Sequence, residues 1–210
     1  MKVLVFDTET SGLPTERNAS IYQLEKWPHI LQLSYIVYDS ETNDLLTVED
    51  DYIKIEDDVP IDPESEKIHK ITRNMLQEKG ISIRDALNKF NHWSDKSDLL
   101  VGHNVSFDKR MVMVEGLRNI IRINIHDTYC TMKNSIELCK IPRVGKNGET
   151  YLKYPTLTEL HIELFKTKPK NTHNALIDIL LCMRCFCKIE LRKDISRINR
   201  TIRLMLRETC

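Results

Sequence analysis

Glycine and proline are scarce in this chain, 6 and 7 of 210 residues. That excludes collagen-like repeats and low-complexity Pro/Gly tracts. Neither sign of charge is in surplus, with 31 Lys and Arg facing 31 Asp and Glu, so a strongly basic coat for nucleic acid is excluded. Long apolar runs are missing too. Val3–Phe6 and Ile179–Met183 stop far short of the ~20 residues that cross a bilayer, and no membrane span or membrane partner is expected. Met1-Lys2 leads straight into a strand-like run ending at Asp7. With no room for a secretory or organellar leader, an intracellular, cytoplasmic location is expected. The six cysteines (Cys130, Cys139, Cys182, Cys185, Cys187, Cys210) have no regular spacing. A chain this long buries a core without staples, so free thiols are expected.

What is present describes a soluble globular protein, 41% hydrophobic and 30% charged. One domain over residues 1–191 is expected, with 192–210 as a basic amphipathic helix packed on it. The zero net charge conceals a segregation. Between Glu41 and Glu66 eleven acids meet one base, Lys54, a net −10 that leaves +10 on the other 184 residues. Such asymmetry bears on which face meets a polyanion.

The run Val3–Phe6 reads as a strand buried on both faces. Ile30 to Tyr38 and Leu45 to Ile55 form strand-like partners across a polar turn. A short helical stretch follows Pro60 and Pro63, and Ile83, Ala86, Leu87 and Phe90 share one face of a further helix. Leu99–Val101 is a short strand closed by Gly102, Val105 to Leu117 a helix, and Ile121–Ile125 a strand. Cys139 to Pro155, with two prolines and two glycines, is the longest expected loop of the second half. Thr156-Leu-Thr-Glu159 has the form of a capping box. A last helix starts near Asn174 and is expected to run on toward the C-terminus. Hairpin strands followed by alternating helices and strands predict an α/β layered domain with a mixed sheet of about five strands flanked by helices.

Asp7 and Glu9 close the first strand as Asp-Thr-Glu. Residues two apart on a strand share a face, so both carboxylates reach one site beyond the sheet. Ligands of open α/β sheets gather at such strand ends. Adjacent carboxylates repel unless a proton or cation joins them, and hard ions such as magnesium or manganese suit them. The surrounding Phe6-Asp-Thr-Glu-Thr-Ser-Gly-Leu-Pro14 is joined by Val101-Gly-His-Asn-Val-Ser-Phe-Asp108 and His173-Asn-Ala-Leu-Ile-Asp178. Together these resemble the three motifs of the DEDDh 3′→5′ exonucleases, the family of the proofreading epsilon subunit of bacterial DNA polymerase III. The resemblance runs from Val3 to about Phe186.

That resemblance implies a ribonuclease-H-like fold and hydrolysis with two Mg²⁺ or Mn²⁺ ions. Asp7 is implied as the ligand shared by both ions, Glu9 and Asp178 as completing the first, Asp108 as holding the second, and His173 as general base. Thr10, Gly12, Leu13, His69, Asn104 and Phe107 are implied as contacts to the terminal nucleotide, with Leu13 as a wedge and Phe107 as a stacking face. The implied substrate is the 3′ end of single-stranded or frayed DNA, released as nucleoside 5′-monophosphates, with a polymerase or other replication partner possible. RNA is an alternative substrate, since the carboxylates do not read the sugar. A non-catalytic nucleic-acid-binding or polymerase-docking module is a third reading, opposed by the intact five-residue site. The loops Thr15 to Lys26 and Pro142 to Tyr154 have no family counterpart.

Two further features compete. Cys182, Cys185 and Cys187 invite a zinc site, but they fall inside an expected helix without a second ligand pair, and buried thiols are the better reading. From Leu191 onward, Ile195, Ile198, Ile202 and Met205 recur at helical steps beside Lys193, Arg197, Arg200, Arg203 and Arg207. This stripe suits either packing on the domain or docking of nucleic acid or a partner.

Overall fold

The computed structural model describes residues 1–170, 172 and 174–207. Its centre is a five-stranded sheet in the order β3-β2-β1-β4-β5. The strands are β1 (Lys2–Thr10), β2 (Ile30–Asp39), β3 (Asp44–Tyr52), β4 (Leu99–Gly102) and β5 (Thr128–Cys130). β1, β2 and β3 form an antiparallel meander, whereas β4 and β5 join β1 in parallel. The mixed sheet and flanking helices agree with the expected α/β architecture.

Both faces of β1 are covered, which is why Val3–Phe6 shows no alternation. Leu4 and Phe6 join Tyr35, Leu87, Phe90 and Met111 in one core cluster. That layer is built from α1 (Pro63–His69), α2 (Arg73–Lys79), α3 (Ile83–Ser94) and α4 (Val105–Arg118). The first two sit toward a satellite cluster around Leu31, Ile71 and Leu76. Val3 and Val5 face the other way, onto Ile179, Met183 and Phe186. Short α5 (Thr131–Asn134) and α6 (Ile136–Cys139) lead to a hairpin of β6 (Pro142–Val144) and β7 (Thr150–Leu152), then to α7 (Leu157–Phe165) and α8 (Ala175–Glu190). The capping box at Thr156 and Glu159 forms as expected.

Three expectations are corrected. Ile121–Ile125 is not a strand: its backbone is engaged by α3 side chains, with Asn91 donating to the Arg122 carbonyl and Ser94 to that of Asn124. The fifth strand is Thr128–Cys130 instead. The Cys139 to Pro155 loop holds the small β6/β7 hairpin, turned at Gly148 with φ +83°. The last helix does not run on from α8. Arg192 takes a left-handed φ of 56°, and the chain resumes as α9 (Ile195–Ile198) and α10 (Arg200–Arg207). Asp194 caps α9 and is gripped by two hydrogen bonds from Arg184 (3.1 and 3.0 Å). Ile195, Ile202 and Leu206 are buried in the α8-side core. Ile198 is left 48% exposed, so the packed stripe differs from the one a single straight helix predicts. No helix among the described residues is long and apolar enough to cross a membrane.

Candidate active site

Alternation along β1 sends Asp7 and Glu9 to the α8 side with Val3 and Val5, and Thr8 to the α4 side with Leu4 and Phe6. The β1/β2 register slips after Glu9, so that Glu9 faces Gln32 but Thr10 faces Ile30. Such a bulge bends the strand end and re-aims the residues beyond it. Asp178 arrives from the first turn of α8, where Asn174 accepts a bond from the Ile177 amide. Ligand oxygens of Asp7, Glu9 and Asp178 lie within 4.8 Å of one another.

Asp108 enters from the opposite layer. It is 3% exposed on the first turn of α4, and its Oδ1 accepts from the Thr8 amide (3.0 Å) and hydroxyl (2.8 Å). The two bonds hold it beside the trio without making it a member. Burial pushes the Asp7 carboxyl well above its ordinary range, and the charges of Asp108, Asp178 and Glu9 push the same way. Glu9 is raised to about 8 by burial and then by Asp178 and Asp108. Asp108 is raised to about 7 by burial, with the Thr8 bonds opposing. A crowd of carboxylates that cannot all ionise unaided is the electrostatic setting a hard, oxygen-preferring cation relieves, so the trio can hold a metal ion.

Cys182, Cys185 and Cys187 are buried thiols outside any disulfide. None belongs to a potential metal cluster among the described residues, so zinc has no support there. His173 lies outside the described residues.

Of the residues expected to touch the terminal nucleotide, Leu13, Asn104 and Phe107 line one cavity, and Gly12 lines a second that shares Leu13. Thr10 donates its hydroxyl to the Gly12 carbonyl (2.7 Å), fixing the turn after β1. A methyl on Gly12 would meet Asp62 only at an ordinary 3.5 Å. Leu13 stands out from the surface, 77% exposed. Asn104 precedes α4 in a left-handed conformation and caps nothing with its side chain, which leaves it available to a ligand. Phe107 is half-buried against the core. His69 is different: it is buried, and its Nδ1 accepts from the Ile71 amide (2.9 Å). Among the described residues its Nε2 has no partner of good geometry, while burial lowers its pKa and the nearby Thr10 carbonyl opposes that shift.

Supporting residues were not evident in the sequence. Thr8 orients Asp108, a role hidden because it sits between the two acids that draw attention. Gln32 accepts from the Ala175 amide (3.4 Å) and donates to Asp50 (2.7 Å), tying the start of α8 to the sheet. Its place opposite Glu9 comes only from strand register. His103, in the second motif, bridges Thr131 and the Pro155 carbonyl and is held near a pKa of 4 by burial. It is a neutral strut rather than a base.

Residues 4–186 match the RNase T exonuclease family model. The chain belongs to this exonuclease family. As a DEDDh-type 3′→5′ exonuclease family member it shares its fold with solved exonuclease I structures. Escherichia coli exonuclease I in complex with a dA16 oligonucleotide superposes with a TM-score of 0.64 at 18% identity, over 98% of this chain and 45% of that one. Exonuclease I from Methylocaldum szegediense gives 0.65 at 18% identity, over the same shares. A further exonuclease I structure gives 0.68 at 18%, again over 98% and 45%. This family member thus spans less than half the length of these proteins. No curated protein matches the chain.

Proposed function

We propose that this chain is a 3′→5′ exonuclease that removes nucleoside 5′-monophosphates from the 3′ ends of single-stranded or frayed DNA, using two Mg²⁺ or Mn²⁺ ions. The observation that carries this reading is the convergence of half-buried Asp7, Glu9 and Asp178 with buried Asp108 at its side. Asp7 is assigned to both ions, Glu9 and Asp178 to the first, and Asp108 to the second. When bound, such ions activate water and stabilise charge on the departing oxygen. His173, five residues before Asp178, is assigned the proton of the attacking water. Water attacks phosphorus, the bond to the 3′ oxygen breaks, and the shortened strand keeps a 3′-hydroxyl. Leu13 and Phe107 hold the terminal base between wedge and stacking face, with Thr10, Gly12, His69 and Asn104 around the sugar and phosphate. The fold shared with an exonuclease I bound to dA16 supports a single-stranded DNA substrate.

The test uses 5′-labelled single-stranded DNA, the equivalent RNA and a mismatched duplex, with Mg²⁺ or EDTA. A stepwise ladder on DNA that requires Mg²⁺ and is abolished in Asp7→Ala is expected. Faster RNA degradation makes it an exoribonuclease, and endonucleolytic cuts or no turnover overturn the reading. His173→Ala should slow turnover by about 10²–10⁴.

A further inference from the structure

Two cavities meet at Leu13, and their charges differ. One, of 490 Å³, runs under Gly12 toward Trp27 and is mixed: it includes Glu25 and Asp62. Its cations are engaged, Lys26 with Glu16 and Arg118 with Glu115. The other, of 670 Å³, begins at Asn104 and Phe107 beside Asp108 and carries Arg17, Arg110 and Lys133. It adjoins a third cavity of 590 Å³ that shares Ser106, Arg110 and Lys133 and adds Lys109. Among the described residues no acid lines either of these two.

We infer that this continuous basic trough along α4 carries the single-stranded chain upstream of the scissile phosphate, with Arg17, Lys109, Arg110 and Lys133 as its phosphate contacts. The inference rests on the exonuclease reading for its direction. Four features carry it. The cations occur without an acid in a protein of zero net charge. Among the described residues none of the four has an ion-pair or hydrogen-bond partner of its own, so their charge is available to a ligand. Ser106, Lys109, Arg110 and Met113 follow one face of α4 at helical spacing, a track of roughly 10 Å. Finally, Leu13, Phe107 and Tyr154 give the 670 Å³ cavity apolar and aromatic faces against which unpaired bases can lie. A polyanion with exposed bases fits this combination. Phosphate contacts position a strand without reading its sequence or sugar.

Each phosphate neutralised on a single strand contributes about 0.7 to the slope of log affinity against log salt. Binding of a fluorescent oligothymidylate of about a dozen nucleotides, measured by anisotropy in EDTA over about 50–300 mM KCl, should therefore show a slope near 2.8. The double variant Arg110→Gln/Lys133→Gln should lose about 1.4 of it, equivalent to ~25-fold weaker binding at 0.1 M salt if affinities converge at 1 M. Arg17→Gln and Lys109→Gln should each lose about 0.7, and Lys79→Gln, on exposed α2 away from the trough, nothing. Oligouridylate should give the same pattern. An unchanged slope in the double variant, equal losses in Lys79→Gln, or no measurable binding by the unaltered chain overturns the trough. Since binding is read without hydrolysis, the two ideas fail separately. Loss of slope in a chain that releases no nucleotide refutes the exonuclease and keeps the trough, whereas a processed ladder with an unchanged slope does the reverse.

Discussion

At the scale of single residues the site is governed by how charge is held before any cation arrives. Glu9 and Asp108 keep protons to about pH 8 and 7, whereas in an unfolded chain carboxyls release them near 4. The metal-free folded state therefore binds more protons than the unfolded state through that window. Stability should fall as pH rises from about 4.5 to 8 and level off above it. Calorimetry in EDTA should record a falling Tm, Glu9→Gln should flatten the fall, and Mg²⁺ should raise Tm more at pH 8.5 than at 6. A Tm that rises from pH 5 to 8 in the unaltered protein and not in Glu9→Gln sinks this account. Thr8 is the second lever. Thr8→Val removes the hydroxyl bond to Asp108, and outer-layer changes of this type cost about 10–100-fold in metal affinity or activity. Titration calorimetry with Mg²⁺ should show the loss, and Thr8→Ser should restore it.

At the scale of elements, stability and site geometry depend on polar ties that link segments far apart in sequence. Glu115, 4% exposed at its side chain, accepts from Arg118 at 2.7 Å and lies 3.3 Å from His29. Arg118 also donates to the carbonyls of Leu24, Trp27 and Pro28, pinning the approach to β2 onto α4. Arg118→Met leaves a buried carboxylate and three carbonyls without this partner and should destabilise the protein by about 3–5 kcal/mol in urea titrations; a loss below 1 kcal/mol means that the segment is held by packing alone. Such ties mark where sequence reading runs out. The acids of the motifs could be placed because strand alternation and helix starts are local. Ile121–Ile125 could not, because its alternation reports burial of Ile121, Ile123 and Ile125 but not who bonds its backbone. Gly116 decides the matter: any side chain there would collide with Ile123 and the Ile121 carbonyl, so the segment lies flat on α4. Likewise Ile195, Ile198, Ile202 and Met205 have the spacing of one long helix, yet Asp194 and Asn199 each start a new one.

At the scale of the molecule the neutral charge resolves into an arrangement. The acid-rich stretch from Glu41 to Glu66 occupies β3, at one edge of the sheet, and continues toward Asp62 beside Gly12. Lys109, Arg110 and Lys133 of the trough lie at the opposite edge, next to Thr128 and Cys130 of β5. Asp7 and Glu9 sit on central β1 between them, with Asp108 and Asp178 brought in by helices, so a polyanion is drawn in from one side and repelled from the other. This layout bears on the basic C-terminal segment. Its apolar side is consumed by the core, with Ile195, Ile202 and Leu206 buried against the α8 side, while Arg197, Arg200 and Arg203 are exposed on the layer opposite α4. Packing and nucleic-acid docking make different demands on it. If it serves as a structural clasp, Ile202→Ala should cost about 2–5 kcal/mol, and replacing Arg197, Arg200 and Arg203 together by Gln should leave the salt slope of oligonucleotide binding untouched. If the arginines met the strand, the triple variant would lose about 2.1 of that slope, more than the trough pair, with stability unaffected. The burial of Ile202 and the distance in layers from Phe107 and Asp108 favour the clasp. Anisotropy and urea titration of the same two variants decide between them.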